Sequence, residues 1–256
     1  MWFERPPGVP DWSEAESYLR RADPALGAVI DRVGPCTLAP RRDYFVVLCK
    51  AIFTQQISTA VATTLFGRFR DLFPNRRPTP ARVIEVLGRA DPAVLRGCGL
   101  SRQKTSYLAD LAQHLADGRI PTRRLAGMDD EAVIEALVGV RGIGRWTAEM
   151  FLIFTLNRPD VFPVGDLGVV DGLRDVFNLP ARPTPAEALA LGERWRPYRS
   201  IATWYLWRRG SVPVAAPAVP VPDAVAGAPP CARRRRPRPA AAPGAAISPA
   251  RPRAQK

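Results

Sequence analysis

Two segments of this chain carry residue types that could do chemistry together. The first is Leu137-Val-Gly-Val-Arg-Gly-Ile-Gly-Arg-Trp-Thr-Ala148, an apolar run, a turn with glycines at 139, 142 and 144, and a second apolar run. Glycine allows a turn to adopt positive φ and lets an anion approach the backbone with no Cβ in the way. The helix that starts after Gly144 leaves its first N–H groups free, and these favour a phosphate. The dinucleotide-binding alternative needs a preceding strand and a third glycine, but Thr147 stands in that place and the preceding run is helical. The second segment is Val161-Phe-Pro-Val-Gly-Asp-Leu-Gly-Val-Val170, in which Asp166 sits between two glycines just before an amphipathic run. As a helix N-cap, Asp166 needs no function. It could equally be a carboxylate whose charge the helix N-terminus favours and whose glycine neighbours expose it at a cleft. The two readings are compatible, and spacing alone favours the first.

Most of the elements that must position these groups are helices. Phe45, Leu48, Cys49, Ile52 and Phe53 recur at helical spacing. Ser58 is a suitable N-cap for a helix through Val61, Leu65, Phe69 and Leu72 that stops at Pro74. Further helices are expected at 101–115, 130–138, 144–156, 167–177, 184–195 and 199–209. No alternating strand pattern or Asn-Gly hairpin competes, so the fold class is all-α.

Composition narrows the chemistry. The 256 residues include 46% hydrophobic and 24% charged, enough for a sizeable core. With 37 Lys and Arg against 24 Asp and Glu the chain carries +13, which points to a polyanionic partner. Lysines occur only at 50, 104 and 256; the arginine excess also fits the codon bias of a GC-rich genome and carries little weight alone. His114 is the single histidine, so a Ser-His-Asp triad or a multi-histidine metal site is not expected. Cys36, Cys49, Cys98 and Cys231 lack C-x-x-C spacing, which suggests neither a zinc site nor an iron–sulfur cluster. No run is apolar enough to cross a bilayer and no signal peptide is evident, so no membrane partner is expected and a cytoplasmic, nucleoid-associated location is the default. After Gly210 the aromatics end and proline and arginine dominate; 211–256 reads as a disordered basic tail. Its Arg233–Arg236 cluster is either a phosphate-binding arm or, the favoured reading, an appendage without a role.

A hairpin of this form, followed about twenty residues on by a Pro/Gly-flanked aspartate, resembles the helix-hairpin-helix DNA glycosylase superfamily. The likeness is strongest to DNA-3-methyladenine glycosylase II and its alkylbase-glycosylase relatives. Ala51-Ile-Phe-Thr-Gln-Gln-Ile-Ser58, Gly99-Leu-Ser-Arg-Gln-Lys-Thr105 and Glu193-Arg-Trp-Arg-Pro-Tyr-Arg-Ser200 agree with it. The resemblance spans about residues 20–210 and implies two helical lobes with an active-site cleft between them. One lobe is 44–158; the other joins an N-terminal segment, 1–43, to 159–210. The segment before Tyr44 is too short for the β-rich domain some members carry, so that domain is expected to be absent.

The implied reaction is monofunctional hydrolysis of the N-glycosidic bond of an alkylated base in double-stranded DNA. A base inside a duplex is inaccessible and must be flipped out. Asp166 is then the catalytic carboxylate, while Asp160, Asp171 and Asp175 read as surface charges. Bifunctional relatives place a lysine where Trp146 stands, so an abasic site should be left uncut. Trp146 and Trp207 would form a base pocket whose indole faces attract a cationic base by ~1–2 kcal/mol, and Trp204 reads as core. Met150 occupies a position often aromatic in relatives. By resemblance Gln55 and Gln56 fill the gap left by the flipped base, and Gly142, Gly144, Thr147, Ser101 and Lys104 contact the DNA backbone. The carbonyls of Val138, Val140 and Ile143 match positions that in some relatives hold a sodium or potassium ion; no cofactor is required. A monomer is expected. The rival readings are a noncatalytic DNA-binding module and a glycosylase for oxidised or mismatched bases.

Overall fold

A computed structural model of the chain describes residues 8–211, so the 211–256 tail lies outside the described residues apart from the backbone of Ser211. Twelve α-helices follow one another, with short 3₁₀ turns between some of them and no strand among the described residues. They are α1 Ser13–Ala22, α2 Pro24–Val33, α3 Tyr44–Thr54, α4 Thr59–Asp71, α5 Pro80–Arg89, α6 Pro92–Gly97, α7 Arg102–Ala116, α8 Asp130–Val138, α9 Arg145–Phe151, α10 Leu167–Val176, α11 Pro185–Gly192 and α12 Arg199–Arg208.

Side-chain caps start several of these helices where the sequence places them. Ser58 accepts Val61 N–H at the start of α4, Ser101 accepts Lys104 N–H at the start of α7, and Thr184 forms a reciprocal capping box with Glu187 before α11. The helix expected over 144–156 changes character after Phe151: Leu152–Leu156 is a π-turn, closed by Asn157 in the left-handed region. Helices α5 and α6, each begun by a proline in its first turn, fall in a stretch that the periodic reading passes over.

The helices form two lobes. In one, α3 packs on α4, α7 and α9, while α5 packs on α7 and α8 on α9. Phe53, Phe66, Phe69 and Phe73 make a chain of ring contacts in its centre. In the other, α12 packs against α1, α2 and α10, which brings both ends of the described chain together. Polar bonds fix that union. Trp195 donates its indole N–H to Asp23 (3.1 Å), whose other oxygen caps α2. The Tyr205 hydroxyl lies 3.0 Å from Glu16 Oε1 and 2.9 Å from the Gly34 carbonyl, and its single proton can serve one of them at a time. Trp204 is buried, as its core reading requires.

Asp160, Asp171 and Asp175 are more than solvated surface charges. Asp160 binds Arg199 and Arg196, Asp171 binds Arg182 and Arg174, and Asp175 binds Arg174 and Arg209. Arg199, Arg196 and Arg182 reach these acids from 39, 36 and 11 positions away, so those pairs form only once the chain has packed.

Candidate active site

Asp166 is the N-cap of α10 and is only 9% exposed. Three N–H donors converge on its carboxylate. Oδ1 accepts Val169 N–H (2.8 Å) and the Trp207 indole N–H (2.8 Å), while Oδ2 accepts the Trp146 indole N–H (2.7 Å). A carboxylate oxygen offers about two acceptor sites, so Oδ1 is filled and Oδ2 keeps one free. Trp146 starts from the lobe of α9 and Trp207 from that of α12, so the aspartate is held from both sides of the lobe junction. The expected face-on use of the two indoles is therefore joined by an edge-on one. An indole N–H lies in the ring plane, and donating it leaves the faces open; Trp146 remains 52% exposed.

Three residues complete this arrangement: Gly168, which the sequence marked only as a neighbour exposing Asp166, and two that sequence reasoning missed. A Cβ on Gly168 would stand 2.7 Å from Trp207 Cδ1 and 3.0 Å from Asp166 Oδ1, so only glycine lets the indole reach the carboxylate. Phe154, in the π-turn after α9, stacks on Trp207 at 5.3 Å between centroids. π-Turns recur at functional sites, but side-chain periodicity gives no sign of one. Glu149, on α9, is the third. Burial raises its carboxyl above the usual range, Arg145 opposes the rise, and the charges of Glu131 and Asp166 add to it.

The hairpin joins α8 to α9. Of its three expected turn glycines only Gly142 has positive φ (+83°), and a Cβ there would fall 2.2 Å from the Tyr107 ring. Gly139 and Gly144 adopt negative φ (−58° and −95°), so positive φ is not their reason for being glycine. A Cβ on Gly144 would meet nothing within 4 Å, and no side chain caps α9, so the first turn is open to an approaching anion. The Val140 carbonyl accepts Ile143 N–H at 3.0 Å, which closes the turn. Asp110 braces it from α7 by accepting Arg141 N–H (2.8 Å), another contact the sequence did not reveal. His114 lies beneath, with Nδ1 2.9 Å from the Asp110 carbonyl and Nε2 2.9 Å from Arg119.

The remaining sequence-named residues divide between bracing and exposure. Gln55 donates its amide to the Gly142 carbonyl (2.7 Å), tying the end of α3 to the hairpin. Gln56 is exposed, with φ of +63°. Lys104 donates to the carbonyls of Phe53 (2.8 Å) and Gln55 (3.0 Å), so its ammonium satisfies the C-terminal end of α3. Burial lowers its pKa. The Ser101 hydroxyl caps α7. A cleft of about 1670 Å³ opens between α3, α4 and α9; Gln55, Gln56, Trp146, Thr147, Met150 and Phe154 all line it. Among the described residues no group of three or more His, Cys, Asp or Glu could hold a metal ion.

This architecture, a hairpin and a buried, triply bonded aspartate at a lobe junction, defines a class. Residues 49–197 match the model of the HhH-GPD superfamily of base excision DNA repair proteins, and the chain belongs to that family. It is 35% identical over 205 residues to DNA-3-methyladenine glycosylase 1 of Schizosaccharomyces pombe, covering 78% of this chain and 88% of that one. The solved structure of the 3-methyladenine DNA glycosylase of that yeast, in complex with abasic DNA, superposes with a TM-score of 0.70 at 33% identity, over 78% of this chain and 98% of the other. A DNA-3-methyladenine glycosidase from Bacillus halodurans superposes with a TM-score of 0.67 at 32% identity, over 79% and 92%.

Proposed function

We propose that this chain is a monofunctional DNA glycosylase of base excision repair, which hydrolyses the N-glycosidic bond of flipped-out alkylated purines in double-stranded DNA. It works as a monomer in the cytoplasm. The observation that carries the reading is the Asp166 carboxylate, fixed by three donors and left with one open acceptor site on Oδ2.

As the bond from the base to C1′ breaks, its electron pair leaves with the base and the deoxyribose gains oxocarbenium character. Oδ2 faces that developing charge; water then adds at C1′, loses a proton, and leaves an abasic site. A carboxylate already oriented needs no reorganisation at the moment of reaction. The indoles of Trp146 and Trp207 orient it with their edges, and the free face of Trp146, with Met150 and Phe154, receives the base. Trp146 stands where a lyase would need its amine.

DNA is held without reference to sequence. The open first turn of α9, from Gly144 to Thr147, takes a phosphate, with Gly142 shaping the turn. The carbonyls of Val138, Val140 and Ile143 are the oxygens available to a sodium or potassium ion there. Such an ion would supply positive charge beside the phosphate, and Val140 would share its carbonyl with Ile143 N–H. Gln56, at the exposed turn after α3, enters the space vacated by the base.

The test is base release from duplexes carrying 3-methyladenine or 7-methylguanine, with strand cleavage scored separately. Release without cleavage is expected. Strand cleavage coupled to release would overturn the monofunctional reading, and no release of either base would overturn the alkylbase one.

A further inference from the structure

The cleft is longer than one flipped base requires. It follows α3 from Gln55 back to Asp43, roughly 18 Å at the helical rise of ~1.5 Å per residue, and its far wall comes from α4 and the turn after it. A base-stacked strand rises ~3.4 Å along its axis per nucleotide, so that length exceeds a single nucleotide several-fold.

Cations gather along the cleft: Arg41, Lys50, Arg70, Arg76 and Arg77 line it, against Asp43 alone. Arg41 pairs with Asp43 and Arg76 with Asp71. The side chains of Lys50, half-buried, and Arg77 have no hydrogen bond or ion pair among the described residues. Arg70 donates to the Arg76 carbonyl (2.8 Å), anchoring the turn that presents Arg76 and Arg77. That turn holds two consecutive non-glycine residues in the left-handed region, Asn75 (φ 54°) and Arg76 (φ 56°), a conformation such residues adopt only at a cost. In the same cleft stand two exposed aromatic rings, Trp146 on α9 and Phe154 in the turn after it. Cations that track a backbone, interleaved with rings on which bases stack, are the means by which single-stranded nucleic acid is held.

We propose that this groove is a single-strand subsite: it holds nucleotides contiguous with the flipped one, with phosphates on Lys50 and Arg77, and it makes lesions in single-stranded or locally melted DNA substrates of this protein. The subsite extends the glycosylase reading, but its binding does not depend on which base is excised.

The test compares the full chain with its Lys50→Met/Arg77→Gln form, measuring anisotropy of a short labelled oligothymidylate across a salt series. The basic C-terminal stretch is common to both proteins and cancels. Losing two phosphate contacts should lower the salt-dependence slope by about 1.4 and weaken low-salt binding by about tenfold. If the double variant fails to fold, each single substitution should lower the slope by about 0.7. Arg89→Gln, outside the groove and paired with Glu85, should change neither quantity. Unchanged affinity and slope in the groove variants would overturn the proposal. So would a loss confined to duplex DNA, which would put these cations on a duplex backbone. As a second readout, the groove variants should release 7-methylguanine more slowly from a single strand relative to the same lesion in a duplex. If the unmodified protein releases no methylpurine from either substrate, the glycosylase reading fails while the binding result still decides the subsite.

Discussion

In the proposed reading Asp166 has two duties that compete on paper, capping a helix and facing a reaction. They would fall to different oxygens: Oδ1 caps α10 and binds Trp207, whereas Oδ2 keeps an open acceptor site beside Trp146. Asp166→Asn retains an oxygen for Val169 N–H but removes the charge and turns an amide toward an indole N–H. Single-turnover base release should fall at least ~10²-fold, with stability lowered by no more than about 1–2 kcal/mol. Normal turnover by a folded Asn variant would refute the assignment. Gly168→Ala tests the geometry without touching a charge. Its methyl must displace either Trp207 or the carboxylate, so base release should drop more steeply than the melting temperature. The leaving base supplies a further expectation. His114 is buried and engaged at both ring nitrogens, so it cannot protonate a neutral base. Cationic 3-methyladenine and 7-methylguanine become neutral on departure and should leave faster than hypoxanthine in matched duplexes; the reverse order would reject the alkylbase assignment.

Among the elements, the hairpin is held by contacts from two other helices: Gln55 at the end of α3 binds the Gly142 carbonyl, and Asp110 of α7 binds Arg141 N–H. Gly142→Ala forces a side chain into positive φ and against Tyr107, and should cost at least ~1–3 kcal/mol by denaturant unfolding. Gly144→Val has the opposite signature. Its side chain meets nothing in the protein, so folding should survive while affinity falls alike for damaged and undamaged duplexes. A loss limited to one sequence context would count against a backbone clamp. Lys104 belongs at this scale too, because it serves the carbonyl end of α3. Lys104→Met should destabilise by about 1–2 kcal/mol, since two carbonyls lose a charged donor.

Across the whole molecule, the site depends on two lobes staying docked. Trp146 and Trp207 reach one carboxylate from different lobes, and the second lobe is itself assembled from both ends of the described chain. Tyr205 sits in that assembly between Glu16 and Gly34, and burial together with the charge of Glu16 raises its phenol well above the usual range. Tyr205→Phe leaves buried acceptors without their donor. It should lower global stability by about 1–3 kcal/mol while changing single-turnover release by the folded fraction only slightly. A catalytic defect larger than the stability loss would mean that the lobe union also tunes the Asp166 geometry.

The sequence alone determined what depends on near neighbours. Apolar spacing marked most helices, Ser58, Ser101 and Asp166 marked helix starts, and the Gly142 turn marked the hairpin, because propensity, capping and turn conformation act over a few residues. Tertiary structure decided what each polar group binds. Lys104 reaches a carbonyl 51 positions away, Gln55 one 87 away, and the indoles of Trp146 and Trp207 meet Asp166 across 20 and 41 positions. Such pairings arise only when helices dock, and periodicity does not encode which edge of a ring then faces which acceptor. The π-turn that carries Phe154 onto Trp207 and the gathering of Lys50 and Arg77 into one groove have the same origin: packing brings together residues whose local sequences are silent about one another.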